Sequence, residues 1–408
     1  MRCFSVESNP STAAGSERSP GRVHWLDGVR GAAAMFVVLH HMWLAAWPAF
    51  PHDTGPSLLG WLLYGHLAVA VFIVVSGFSL ALAPLSDGGR LRGGMRRFIR
   101  RRAWRILPAY WVALVLSTIV AVTLLHSVTG AGATAKSFVV HGLLLQDVIG
   151  SQAPNGTFWS IAVEWQIYFL FPLILWVAIK RSVEAAVGLT LGAVVVAHFV
   201  ARIGPPFDKI DHVTPQFLAL FAFGILAVHL GRGDRAARVR RPLGATALAI
   251  FLAMVAFAIV EGPEWMVARY FYVDLAFGLA SACLLCTLCA GGAAWIRRVL
   301  GSRAGLKLGL FSYSIYLMHA PIVGLLNKYI VAPMGLPALA QFFVLLAIGV
   351  PAVLVGCYGF HLLFEAPFLR YRDMRSLRAM PIFRLRLPSR RPAPVLPAPE
   401  VATAPQDA

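Results

Sequence analysis

Charged residues are scarce in this 408-residue chain, since Asp, Glu, Lys and Arg make up 13% of it while 58% is hydrophobic. A typical soluble domain has about 25% charged residues, so this composition excludes a soluble globular protein. The mean hydropathy of +0.71 is typical of a chain that crosses a membrane many times. Acidic residues are the rarer kind, with 18 Asp and Glu against 36 Lys and Arg.

Cysteine is also rare, and its five copies are too few for a disulfide framework. Cys283, Cys286 and Cys289 lie in one apolar run with no second ligand cluster to complete a metal or iron–sulfur site. We therefore expect small packing residues and no metal. Residues 1–25 contain no apolar run of the signal-peptide type.

Long apolar segments are what the chain has instead. About 20 apolar residues cross the roughly 30 Å of bilayer hydrocarbon as a helix. Ten segments are predicted to do so: residues 29–50, 58–83, 103–126, 157–180, 184–203, 212–230, 241–261, 266–290, 308–331 and 338–365.

The predicted fold is therefore all-α, a membrane bundle of about ten helices over residues 26–370. Residues 1–25 and 371–408 are predicted to be disordered tails because of their polar and Pro-rich composition. A shorter apolar piece, residues 137–149, is too short to span and is predicted to be re-entrant or interfacial.

Basic residues are distributed asymmetrically along these helices. If both ends of the chain are cytoplasmic, 30 Lys and Arg lie on the cytoplasmic side and five on the outer side, with Arg30 within the first helix. This is the positive-inside pattern, so both termini are predicted to be cytoplasmic. Topology and attraction to anionic lipid thus account for the net charge of +18, and we expect no nucleic acid partner.

The first predicted helix includes LDGVRGAAAMFVVLHHMW, residues 26–43, which places ionisable side chains in an apolar setting. Arg30 and His41 are separated by about three helical turns, so they share a face with a rise of about 16 Å. His40 points roughly 100° away from His41. Because ionisable groups at this depth are costly in lipid, we interpret Arg30 and His41 as functional residues.

Arginines are concentrated in MRRFIRRRAWRILPAYW, residues 95–111. Six of them recur at helical spacing: Arg96, Arg97, Arg100, Arg101, Arg102 and Arg105. Two interpretations stay open. One is an amphipathic helix lying on anionic lipid, and the other is a phosphate-binding site at the cytoplasmic surface.

The fourth predicted helix carries one acidic residue. Ser160, Glu164 and Tyr168 are four residues apart and therefore share a face. A lone carboxylate within a membrane helix has to be neutral or paired, so we interpret Glu164 as functional.

The ninth predicted helix places Ser312, Tyr316 and His319 on one face. Counting about 1.5 Å per residue from the helix ends, we expect His41, Glu164 and His319 at one level just beyond the membrane midplane. A carboxylate with two imidazoles is suited to acid–base chemistry.

Other ionisable residues receive simpler interpretations. His66, near the outer end of the second helix, is predicted to be an interfacial residue rather than a catalyst. Arg269 and Asp274 could pair only loosely at i, i+5, so they are interpreted as packing or gating residues. His361 and Glu365 are placed at the cytoplasmic edge of the last helix.

Taken in order, these segments resemble the acyltransferase-3 family of integral membrane acyltransferases over roughly residues 22–370. The similar segments are residues 26–31, the Arg30–His41 spacing, residues 76–78, 101–105, 158–160 with Glu164, 312–321 and 365–367. Residues 67–72 differ, because many members have a glycine and a polar residue there.

The resemblance implies ten helices with cytoplasmic ends in a bacterial inner membrane. It implies transfer of an acyl group, usually acetyl, from cytoplasmic acyl-CoA to a hydroxyl, with no permanently bound cofactor. Acceptors in the family are surface polysaccharide, lipopolysaccharide, peptidoglycan or glycolipid and, in some members, a macrolide. No soluble esterase-like domain follows, so a stand-alone membrane domain is expected.

Residue roles follow from the resemblance as expectations. The catalytic residues are expected to be His41, Glu164 and His319, and the substrate-binding residues Arg30, Arg101, Arg102, Arg105, Trp159, Ser160 and Tyr316. His41 acts either as a base whose tautomer Glu164 holds, or as a covalent acyl carrier. His319 either orients the acceptor or donates a proton to the leaving thiolate.

Two other functions compete with the enzyme. A transporter of an acylated glycan also places charges at the midplane, but it is expected to show internal repeats with broken helices, and none is evident. A structural or sensory membrane protein would tolerate Arg30→Ala and His41→Ala. An acyl-CoA-dependent O-acyltransferase is the prediction.

Overall fold

The chain folds into an all-α bundle in a computed structural model that describes residues 23–52, 55–88, 91, 93–125 and 132–371. Within these residues there are sixteen α-helices and no strand. The helices are α1 (Trp25–Ala46), α2 (His66–Ser86), α3 (Gly94–Thr123), α4 (Ala135–Gly142), α5 (Gln146–Ile149), α6 (Trp159–Lys180), α7 (Val183–Ala201), α8 (Gln216–Leu230), α9 (Ala236–Ala268), α10 (Tyr270–Cys289), α11 (Ala294–Leu300), α12 (Arg303–Leu310), α13 (Ser312–Leu326), α14 (Ala338–Val344), α15 (Val350–Phe360) and α16 (Ala366–Arg370). Nearly all of both predicted tails lies outside the described residues.

Nine helical segments in the described ranges are long and apolar enough to cross a membrane. The bent pair Phe207–Val213 and Gln216–Leu230, which meets at 44°, makes a tenth when it is taken as one span. Each of the ten predicted helices overlaps one of these segments, so the predicted all-α membrane bundle is confirmed. Helices are favoured because lipid offers no hydrogen-bond partner to an unpaired backbone group.

Helix boundaries differ from prediction where the backbone changes its hydrogen bonding. The predicted helix 58–83 divides into a 3₁₀ segment, Ser57–Tyr64, and α2. The predicted helix 338–365 is a continuous run from α14 to α16 with two π turns, Leu345–Gly349 and His361–Glu365. Such π turns often occur at functional sites.

The short apolar piece at residues 137–149 forms α4 and α5, neither of which is long enough to span. Thr134 and Ser137 form a reciprocal capping box at the start of α4. Tyr110 and Trp111 of α3 donate hydrogen bonds to the carbonyls of His141 and Gly142 at its end. These contacts fix α4 and α5 against α3.

Close helix crossings form the interior of the bundle. α2 and α8 meet where a Cβ added to Gly77 would overlap the carbonyl oxygen of Phe221, and one added to Gly224 would overlap that of Val74. Glycine lets these two backbones touch, as is common between membrane helices.

Other helices present apolar side chains outward. In the most apolar 18-residue stretch of α9, only 6% of the residues are buried, although the mean hydropathy of that stretch is 2.6. Leu248, Phe251, Ile259 and Val260 are among its exposed side chains. An apolar surface of this kind is suited to lipid.

Candidate active site

Two histidines that are distant in sequence meet between parallel helices. Near the start of α1, Gly31 lies against Gly309 of α12. Ten residues after Gly31 and ten after Gly309, His41 Nδ1 is 3.3 Å from His319 Nε2. The equal spacing shows that α1 runs beside α12 and α13 in the same direction, and it brings His41 and His319 to one level.

Backbone carbonyls assign the hydrogen positions on both imidazoles. His41 Nδ1 lies 2.9 Å from the carbonyl oxygen of Val37, and His319 Nδ1 lies 3.0 Å from that of Ile315 and 2.9 Å from that of Tyr316. A carbonyl can only accept, so Nδ1 carries the hydrogen in both neutral rings. His319 Nε2 then accepts from His41 Nδ1, which leaves a lone pair on His41 Nε2.

His40 occupies a different environment from His41. Its Nδ1 donates to the carbonyl of Leu62 at 2.8 Å, and its ring meets the ring of His41 edge-on at 5.1 Å. His40 is 9% exposed, whereas His319 is fully buried. The two adjacent histidines of α1 therefore face different neighbours, as a 100° step along a helix requires.

A cavity of about 740 Å³ opens the bundle at the end that carries the start of α1 and the start of α3. We call it the basic cavity, after its three arginines, Arg30, Arg102 and Arg105. Its polar lining also includes Asp27, Ser76, Ser79, Ser160, Glu164, Tyr168, Ser312, Tyr313, Tyr316 and Glu365. The other lining residues are mainly Leu, Ile, Val and Phe, so polar groups project into an apolar chamber.

Arg30 is fixed within this cavity by two side chains. Its Nη1 lies 3.1 Å from Asp27 Oδ1, and its Nη2 donates to Ser79 Oγ at 2.6 Å. Ser79 in turn donates to the carbonyl of Val75 at 2.7 Å. The guanidinium is thereby oriented before any ligand binds.

The arginine cluster is divided among three environments. Arg102 lies over the rings of Phe98 and Tyr168, at 5.8 and 5.9 Å from their centroids. Arg102 and Arg105 line the basic cavity, whereas Arg101 lines a smaller neighbouring cavity of about 180 Å³. The remaining three arginines of the cluster, Arg96, Arg97 and Arg100, are exposed. The cluster is thus divided between cavity-lining and exposed arginines, so each of the two interpretations stays a prediction for different members.

Glu164 lies in the basic cavity rather than beside His41. It accepts a hydrogen bond of 2.6 Å from Tyr168, which also lies 3.4 Å from Ser76. Ser160, one turn earlier on α6, bonds Tyr316, which is three residues before His319. By the helical rise, this puts Glu164 about 10 Å from the level of His319, because α6 runs opposite to α13. The expected common level of all three residues is wrong for Glu164.

The inner end of the basic cavity is formed by Tyr316 and Phe72, whose rings meet edge-on at 5.8 Å. Tyr316 OH is 2.5 Å from Ser160 Oγ and donates to the carbonyl of Thr157 at 2.8 Å. The ring of Tyr316 is 6.0 Å from that of His319. The cavity therefore ends next to the His41–His319 pair.

A second carboxylate, Glu365, lines the cavity from the last helix. Ser314 Oγ donates to its Oε2 at 2.6 Å, and His361 Nδ1 lies 2.8 Å from the same oxygen. His361 and Glu365 are the ends of a π turn and are 3% and 5% exposed. They lie near the end of the last helical run, as predicted, and both are buried there.

Asp274 and His66 form a pair that the sequence analysis did not find. His66 Nε2 is 3.0 Å from Asp274 Oδ1, while Arg269 instead lies over Trp265, 4.5 Å from its ring centroid. Arg269 and Asp274 therefore have separate partners, and the loose pair that the sequence allowed does not form. The sequence did show that Asp274 is an acidic residue within an apolar helix. It could not show the partner, because His66 is 208 residues away in the chain.

Asp147 of α5 was also missed. It is 9% exposed, its Oδ2 has no hydrogen-bond partner among the described residues, and burial raises its pKa to about 7. Nothing in the apolar pattern of residues 137–149 distinguishes this carboxyl from a solvated one.

Comparison with known proteins gives a consistent result. The family model described as "Acyltransferase domain" matches residues 23–362. YrhL of Bacillus subtilis, whose name describes a peptidoglycan O-acetyltransferase, is 26% identical over 73% of this chain and 48% of its own length. Acyltransferase MdmB of Streptomyces mycarofaciens is 24% identical over 74% of this chain and 79% of its own.

O-acetyltransferase OatA of Staphylococcus aureus is 22% identical over 77% of this chain and 52% of its own length. The chain thus spans about half the length of the Bacillus and Staphylococcus relatives it matches. No solved structure matches the chain.

Proposed function

Since this chain belongs to the acyltransferase-3 family, we propose that it transfers an acetyl group from acetyl-CoA to a hydroxyl of a carbohydrate acceptor such as a cell-surface polysaccharide. One observation carries the proposal: a cavity lined by arginines ends beside a pair of hydrogen-bonded histidines. Two relatives whose names describe O-acetyltransfer support the reaction class.

The donor fits the basic cavity by charge and by length. CoA carries several phosphates, and Arg30, Arg102 and Arg105 are the guanidinium groups available to bind them. Its long, thin pantetheine arm can follow the cavity inward. Because Arg30 and His41 are about 16 Å apart along α1, the thioester arrives near the histidine pair.

His41 is the reacting imidazole in this proposal. Its Nε2 lone pair can either remove the proton of the acceptor hydroxyl or attack the thioester carbon itself. Positive charge that develops on the ring is stabilised through Nδ1, which donates to Val37 and His319. His319 thereby takes the orienting role that the sequence analysis assigned to Glu164.

The basic end of the bundle faces the cytoplasm in this proposal, because acyl-CoA is cytoplasmic and most basic residues belong to that side. The acceptor then reaches the histidines from the opposite end. A bacterial inner membrane satisfies both conditions.

The test uses inverted membrane vesicles supplied with radiolabelled acetyl-CoA, followed by fractionation of the labelled products. Wild type is expected to label a hydroxylated product, and His41→Ala to lower the rate about 100-fold or more. Label on a glycan supports the carbohydrate acceptor, and label on a small hydroxylated molecule corrects the acceptor class.

His52→Ala is the matched control, because it removes an imidazole that lies outside the histidine pair. The His52 side chain is 74% exposed and contacts Glu264 at 2.7 Å. It is expected to retain wild-type activity with equal insertion. An inserted His41→Ala protein with undiminished turnover contradicts both roles of His41.

A further inference from the structure

Asp274 is a fully buried carboxylate in a membrane-spanning helix. Two side chains from other helices contact it. His66 Nε2 of α2 is hydrogen-bonded to Oδ2 at 3.1 Å and lies 3.0 Å from Oδ1, and Gln216 Nε2 of α8 donates to Oδ2 at 3.1 Å. A carboxylate in this setting is costly unless it is paired and hydrogen-bonded, so the three residues form one unit.

The imidazole of His66 is held in a fixed plane. It lies nearly parallel to the ring of Trp159, at 5.4 Å and 5°, and to that of Tyr270, at 4.1 Å and 17°. With Nε2 directed at a carboxylate, the neutral ring carries its hydrogen on Nε2 and a lone pair on Nδ1. No residue in the described ranges is hydrogen-bonded to Nδ1, and the side chain is 17% exposed.

One series of contacts leads from His66 to the histidine pair through α1. Gly65, the residue before His66, packs directly on the ring of His40, which a Cβ at that position would overlap. His40 meets His41 edge-on at 5.1 Å, and the rings of His41 and His319 are 4.7 Å apart.

A second, independent series leads to the same place through α6. His66 stacks on Trp159, and the next residue, Ser160, bonds Tyr316. The ring of Tyr316 is 6.0 Å from that of His319. The two series thus reach the His41–His319 pair from two sides, and His66 does not itself line the basic cavity.

We propose that His66 is the general base for the acceptor hydroxyl and that Asp274 is its positioning residue. This inference rests on the proposed acyl transfer and adds the acceptor side of the reaction. An imidazole oriented by a buried carboxylate, with its other nitrogen free, is the arrangement that activates a hydroxyl nucleophile. His41 lacks such a carboxylate, because its Nδ1 partners are Val37 and His319.

The step balances without any further reactant. The acceptor hydroxyl gives its proton to His66 Nδ1 as its oxygen forms a bond to the acyl carbon. With His66 as the base, His41 keeps the acyl-carrier role: its Nε2 has taken the acyl group from the thioester, whose sulfur left with its electron pair as the thiolate. The bond from the acyl carbon to His41 Nε2 then breaks, and Nε2 keeps the electron pair. Asp274 stabilises the resulting imidazolium, which later returns its proton to water.

The experiment compares wild type with His66→Gln and Asp274→Asn, each purified and reconstituted in lipid nanodiscs. The donor is acetyl-CoA. The acceptor is either soluble peptidoglycan disaccharide-peptides or a neutral oligosaccharide. Each variant is expected to lower kcat about 100-fold while leaving the KM for acetyl-CoA unchanged, since neither residue lines the basic cavity. The acidic limb of the wild-type pH–rate profile is expected to disappear in His66→Gln. The other titratable residues around the pair are Tyr270, His40 and Tyr64. Gln216 is the remaining hydrogen-bond partner of Asp274.

Two further measurements separate a base from a structural residue. Imidazole added to His66→Ala is expected to restore part of kcat, and His52→Gln, which alters an exposed imidazole–carboxylate pair, is expected to match wild type. Retention of kcat within about threefold in His66→Gln overturns the inference, and so does loss of acetyl-CoA binding together with kcat. Inactive wild-type protein instead contradicts the proposed function itself.

Discussion

Arg30 is a cation in an apolar helix whose position the protein itself fixes. Asp27 and Ser79 each contact one terminal nitrogen of its guanidinium in the basic cavity. In the proposed function, this guanidinium binds a phosphate of acyl-CoA. Without such contacts, the ordering of this flexible side chain would weaken binding.

The contribution of this orientation can be measured with Ser79→Ala. Loss of a hydrogen bond to a charged group costs about 1.5 kcal/mol, so the KM for acyl-CoA is expected to rise about tenfold with kcat little changed. Steady-state kinetics at varied acetyl-CoA give both values. Ser86→Ala is the control, because Ser86 is also on α2 and also accepts from an arginine, Arg232 at 2.6 Å, outside the cavity. Equal changes in both variants would contradict a specific role for Ser79.

Asp147 is a residue whose charge state links stability to pH. Burial raises its pKa to about 7, so the folded protein keeps this proton at pH values where the unfolded chain has lost it. The folded state therefore binds more protons than the unfolded state between about pH 4 and pH 7. Stability falls as the pH rises through this window.

Asp147→Asn is expected to remove that dependence. The melting temperature of purified wild-type protein is expected to fall by several degrees between pH 5 and pH 8, and that of the variant to fall less. Thermal unfolding followed by tryptophan fluorescence measures both. Asp208→Asn, which changes an exposed aspartate, is expected to behave as wild type. An unchanged pH dependence in Asp147→Asn would show that this carboxyl is not its source.

At the scale of elements, the crossing of α2 with α8 determines where the site residues lie. α2 carries His66, Phe72 and Ser79, so its position sets both the basic cavity and the acceptor side. Gly77 and Gly224 allow the two backbones to touch at this crossing.

Gly77→Ala is expected to destabilise the protein by about 1–3 kcal/mol, because the added methyl overlaps the carbonyl of Phe221, which belongs to a rigid backbone. Gly188→Ala is the matched control, since it lies in α7 with nothing within 4 Å of its added Cβ. Alanine there is expected to be neutral or slightly stabilising. Thermal unfolding of both variants tests the crossing, and similar melting temperatures would contradict it.

For the whole molecule, the asymmetry of basic residues predicts the orientation in the membrane. In the proposed function the basic cavity binds an anionic donor, so the same asymmetry would serve both insertion and binding.

Labelling of single cysteines in a cysteine-free background tests this topology. Asp208→Cys lies before α8 and Asp234→Cys after it, and both positions are exposed. A membrane-impermeant maleimide is expected to label position 208 in intact bacterial cells and position 234 only after permeabilisation. The reverse pattern would contradict a cytoplasmic basic end.

The sequence predicted much of this site because single helices carry regular geometry. The rise from Arg30 to His41 and the shared face of Tyr316 and His319 depend only on residues a few turns apart. The level of Glu164 was not predictable in the same way. That level depends on where α6 begins relative to α13. If the predicted start of α6 is wrong by one helical turn, the predicted position of the Glu164 carboxylate shifts from the cavity to the histidines.

The sequence by itself determined the ten apolar segments, the charge asymmetry and the family, because length, hydropathy and local motifs are properties of neighbouring residues. Only the tertiary structure decided which polar groups meet. It paired His41 with His319, Ser160 with Tyr316, and Asp274 with His66. Hydropathy does not encode these pairs, because they depend on the register and rotation of helices that pack against each other in lipid.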